Sequence, residues 1–98
     1  MTAEKEERID EKRLAAKYRL VIKTTNTISR AEEIVFEAQQ RVLELENLET
    51  NVSLRGRHSQ QFISLITVND QLNRVLKELY SQARDIQTGL RSTKANDK

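Results

Sequence analysis

Apolar positions recur most regularly in the second half of the chain. There Phe62, Leu65, Asn69, Leu72, Leu76, Leu79, Ala83, Ile86 and Leu90 follow one another at alternating spacings of three and four. A mean spacing of about 3.5 residues keeps such side chains on one stripe facing a partner helix, as a coiled coil requires. Asn69 alone interrupts the apolar run. Buried there, an Asn sets register and oligomer number at a cost in stability; at the edge of the stripe it faces solvent. Ile63, Ile66, Val68 and Val75 widen the stripe beyond a two-stranded seam, toward a bundle of three or four helices. From Ser59 to Ser92 such a helix spans about 50 Å at roughly 1.5 Å per residue.

The first half is helical by the same criterion. Leu14, Tyr18, Val21, Thr25 and Ile28 share one frame, and Ala31, Val35, Ala38, Val42 and Leu45 follow in a shifted one. Beside the shift lie Thr24-Thr25-Asn26-Thr27, residues that compete for backbone hydrogen bonds in a helix, and then Ser29-Arg30-Ala31-Glu32, which has the form of a capping box. A hinge or true break fits these signals. A continuous helix with a local slip fits the long flanking periodicity, which outweighs propensity.

Extended backwards, the C-terminal frame meets His58, Arg55 and Asn51, all polar, among the turn-favouring Asn51, Ser53 and Gly56. The pattern thus predicts an all-α chain, a long antiparallel helical hairpin of coiled-coil type forming one domain over 1–98. Its parts are a helix about 3–50, a loop about 51–58, a helix about 59–92 and a frayed tail 93–98. A three-helix bundle broken near residues 24–29 is the alternative.

Composition narrows the class. Charged residues make up 33% of the 98, with no Pro, no Trp, no Cys and only two Gly, as in long helices and coiled coils. The absence of Cys removes disulfides, thiolate nucleophiles and zinc-thiolate sites, and it points to a cytoplasmic, soluble chain. The N-terminal run of Glu, Lys and Arg is unlike a secretory signal, and no window approaches the ~18 apolar residues of a membrane span. The net charge of +2 is small but uneven: residues 1–30 carry +3, residues 31–50 carry −5 and residues 51–98 carry +4. Folding back near residue 55 would set the acidic stretch beside the basic second half.

Catalytic chemistry finds little support. His58 is the single histidine, so neither a Ser–His–Asp triad nor a histidine metal site forms within one chain. Gly56 and Gly89 make no phosphate loop. Glu33 with Glu37, and Glu6 with Asp10, have the i, i+4 spacing that bridges metals, but the Glu-x-x-His motifs of di-metal bundles are missing. No cofactor and no small-molecule substrate are expected. The sequon Asn51-Val52-Ser53 is without consequence in a chain that is not secreted.

These features predict a non-enzymatic coiled-coil interaction module that packs against protein partners as a homo- or hetero-oligomer. Its expected role is a small structural or adaptor subunit or a helix-binding chaperone, with Phe62 to Leu90 as the interface. The alternative is a peripheral binder of anionic membrane or nucleic acid. That reading uses Lys12, Arg13, Lys17, Arg19 and Lys23, beside the apolar Leu14, Tyr18, Val21 and Ile22.

Overall fold

The computed structural model describes the backbone of residues 2–96 and the side chains of residues 10–90. The chain is an all-α helical hairpin of two helices, α1 (Thr2–Leu48) and α2 (Val52–Asn96). α1 runs unbroken through residues 24–29, which removes the three-helix alternative. The threonines there do not disrupt the helix because their hydroxyls bond to it. Thr24 Oγ1 donates to the Leu20 carbonyl and Thr25 Oγ1 to that of Ile22, each at 2.7 Å. With its hydroxyl satisfied internally, Thr25 is buried to 2% exposure. Ser29 and Glu32 are interior helical residues, so the capping box they spell has no terminus to cap.

The connection is shorter than the expected loop 51–58. It comprises Glu49, Thr50 and Asn51, and α2 starts at Val52 rather than near residue 59. Asn51 is the cause. Its Oδ1 accepts from the amides of Ser53 at 2.9 Å and Leu54 at 3.2 Å, so two orphan donors of a helix N-terminus are met at once. The Arg55 amide then donates to the Asn51 carbonyl at 2.9 Å. Ser53 and Gly56 therefore lie inside the helix, and no described residue has a positive φ. Arg55 reaches back to close the turn, its Nε and Nη2 donating to the Glu49 carbonyl at 3.2 and 2.9 Å. At the far end α2 continues through Asn96, past the expected limit near 92, and Asp97 and Lys98 of the expected tail lie outside the described residues.

The hairpin divides into two compact units, one combining residues 1–26 with 77–98 and the other spanning 27–76. The first holds an apolar core. Val21, Ala83 and Ile86 are buried, and Leu14, Tyr18, Ile22, Leu79 and Leu90 pack around them. The small Ala83 lets the two backbones approach, and each fully buried Val or Ile contributes about 1.5–3 kcal/mol. Gln87 Nε2 donates to the Tyr18 hydroxyl at 2.8 Å across the same pair of helices.

The second unit is built differently. Along α1 the positions Ile28, Glu32, Val35, Gln39, Val42 and Glu46 are covered, Gln39 buried and the others half-buried, and Ser29, Ala31, Ala38 and Leu43 beside them are half-buried too. The first six continue the frame of Leu14, Tyr18, Val21 and Thr25, while of the expected shifted frame Ala31, Val35, Ala38 and Val42 are half-buried and Leu45 is exposed. An unbroken helix keeps its phase, and here it does so by seating a polar residue at every second seam position. From α2 the unit contributes half-buried Phe62, Leu65, Asn69 and Leu72 and buried Leu76. Ser59 Oγ donates to Glu46 Oε1 at 2.7 Å.

Candidate helix-docking surface

The stripe expected to meet a partner faces α1 of its own chain. Leu79, Ala83, Ile86 and Leu90 belong to the core around Val21. Leu65 lies beside Val42, and Asn69 beside Glu32 and Phe36. Phe62 and Leu72 are half-buried and Leu76 is buried, so none of the nine is exposed. A three-residue connection makes the seam of the same chain the first one available, because so short a loop closes at little entropic cost.

What the hairpin leaves uncovered is concentrated in residues 27–76. Ten of the twelve exposed large apolar side chains among the described residues fall there, with Ile34 65% and Leu48 80% exposed; the other two are Leu20 and Tyr80. On α1, exposed Ile34, Leu45 and Leu48 share a second stripe with half-buried Ala31 and Ala38 and exposed Arg41, again at spacings of three and four, and Phe36 lies off it. The shifted frame read from sequence, Ala31, Val35, Ala38, Val42 and Leu45, mixes this stripe with the seam beside it. On α2, Asp70 is the single charged residue between His58 and Arg74. A solvated helix face normally carries many more charges, and charge depletion marks surfaces that become covered.

Two open grooves border these faces. One, of about 620 Å³, is lined by Val42, Arg57, Gln60, Gln61, Ser64, Leu65 and Val68, an apolar floor with a polar and cationic rim. The other, of about 420 Å³, is lined by Glu32, Glu33, Phe36, Glu37 and Asn69. Glu32 Oε1 and Asn69 Oδ1, on two residues of its lining, are buried without a hydrogen-bond partner. Among the described residues no group of three or more His, Cys, Asp or Glu is placed to hold a metal ion.

Lys12, Arg13, Lys17, Arg19 and Lys23 are all exposed. At about 100° per residue they spread over nearly half of the helix circumference. His58, expected in the loop, is half-buried within α2, with Nδ1 3.0 Å from Gln61 Oε1. No described helix is long and apolar enough to cross a membrane. Comparison with protein families, curated proteins and solved structures finds no match to this chain.

Proposed function

We propose that the protein is a non-enzymatic helix-packing module, a small structural or adaptor subunit or a helix-binding chaperone, whose 27–76 unit docks onto helices of protein partners in the cytoplasm. One observation carries this reading. The unit whose internal seam is diluted by Glu32, Gln39, Glu46 and Asn69 also displays nearly all of the exposed apolar side chains. Covering such side chains contributes about 25 cal/mol per Å² removed from water, and uncovered apolar faces mark interaction sites. The partner suited to it is an amphipathic helix, since two parallel apolar ridges form a groove of helix width.

A photoreactive benzophenone side chain placed at Ile34, Ile66 or Val68, with Arg19 as the comparison site, tests the reading in cells. Discrete protein adducts from the apolar sites and none from Arg19 are expected. Failure to form an adduct at all three apolar sites sinks it, and adducts to nucleic acid or lipid from Arg19 would favour the anionic-surface alternative.

A further inference from the structure

The second stripe of α1, exposed at Ile34, Arg41, Leu45 and Leu48, is complementary to itself. We infer that a second copy of this chain covers it, two hairpins pairing about a two-fold axis into a four-helix bundle. The inference rests on the docking reading above and names its occupant.

The angle between faces comes first. Each residue of the stripe immediately precedes a seam residue: Ile34 precedes Val35, Ala38 precedes Gln39, Leu45 precedes Glu46. A step of one residue turns a helix by about 100°, so the stripe and the seam stand near a right angle. Each helix of a four-helix bundle needs two faces so disposed, one for each neighbour.

The residues then match in one antiparallel alignment. Ala31 falls against Leu48 of the second copy and Ala38 against Arg41, small side chains opposite large ones, with Ile34 against Leu45 as an apolar pair between them. Arg41 is the single charge of the stripe, and the alignment brings it beside Glu37 of the other copy, once in each direction. Both side chains are exposed, and Arg41 is joined to no described carboxylate within its own chain. Reciprocity of this kind is what a two-fold interface requires.

α2 supplies an independent check. The Ser59 to Glu46 hydrogen bond sets the two helices level near the connection. Seven residues further along each helix, Gln39 stands level with Ile66, so the axis that crosses α1 beside Gln39 crosses α2 at Ile66. Antiparallel pairing about the level of Ile66 matches Ser64 with Val68 and Gln61 with Gln71, and sets Arg57, the one charge of this stripe, at its end opposite Val75. One axis therefore serves both helices. The face spans about 27 Å of helix and two helix widths, roughly 1,000 Å² over both copies, the lower end for a specific interface, so the pairing is concentration-dependent.

Sedimentation equilibrium of the purified chain with charge-swap variants tests this. The expected result is a dimer of twice 11.4 kDa for the parent chain. Arg41→Glu and Glu37→Arg each set like charges together and weaken it by about ten-fold or more. Mixed in equal amounts, the two variants restore the dimer, because each supplies the charge the other lacks. Both sites are exposed, and circular dichroism of each variant is expected to show the helicity of the parent chain. A parent chain that stays monomeric at high micromolar concentration overturns the inference, as does a dimer indifferent to both swaps or a mixture that is not restored. A monomer that still forms adducts of another mass at Ile34 in cells overturns the second copy as occupant while leaving the docking reading in place.

Discussion

Ser59 Oγ donates a hydrogen bond of 2.7 Å to Glu46 Oε1, joining the two helices thirteen residues apart in sequence. The pair lies half-buried beside the connection, where water competes only in part. Ser59→Ala is expected to lower stability by about 1 kcal/mol, read from urea unfolding at fixed protein concentration. An unchanged midpoint would show that water replaces the bond without loss.

Thr25 is the most deeply buried of the described side chains that are polar, and its hydroxyl bonds only to its own helix. Thr25→Val keeps the branched shape and removes the buried polar group, so thermal stability is expected to rise by about 0.5–1 kcal/mol. A loss instead would mean that the hydroxyl serves something beyond the Ile22 carbonyl.

Gly56 lies in the interior of α2, and a Cβ built there meets nothing within 4 Å. Gly56→Ala is therefore expected to stabilise the helix by about 0.8–1 kcal/mol, measured by thermal unfolding. Destabilisation would contradict the helical placement of residues 52–58.

Asn69 presents a buried Oδ1 with no hydrogen-bond partner in the seam. Asn69→Leu should raise unfolding stability by about 1–2 kcal/mol. The same variant should broaden the distribution of oligomers seen by light scattering, because a polar seam residue selects register. A single oligomer number unchanged by the substitution would deny Asn69 that role.

Leu79 and Ile34 separate folding from docking. Leu79 packs against the buried core, whereas Ile34 is 65% exposed. Leu79→Asp should cost about 3 kcal/mol or more and reduce helicity, as burial of an unpaired charge does. Ile34→Asp should leave the monomer's helicity within error and abolish association. Equal effects of the two on circular dichroism would refute the division.

Much of this was legible in the sequence. The spacing from Phe62 to Leu90 marks residues that are all covered, because a 3-4 apolar rhythm has one geometric solution in a helix. The rhythm does not say whose helix does the covering. The frame of α1 beyond Ile28 was obscured because polar Glu32, Gln39 and Glu46 are covered together with Ala31 and Ala38 beside them, while apolar Leu45 is exposed. Hydropathy there follows the second stripe as much as the first, and only helix continuity decides between them. At the connection, Asn51, Ser53 and Gly56 carried the same turn signal, but one capping side chain sufficed and the other two were absorbed into α2. Residue type does not reveal which of several candidates does the capping.

The short connection also orders the events of folding. Ser59 and Glu46 are thirteen residues apart, whereas Tyr18 and Gln87 are separated by 69. Nearby segments meet sooner than distant ones, so helix pairing is expected to start at the connection and the core of Val21, Ala83 and Ile86 to close later. A chain emerging from the ribosome thus displays Ile34, Leu45 and Val68 before its best-packed region exists, and these sites are ready for association while the protein is still being made.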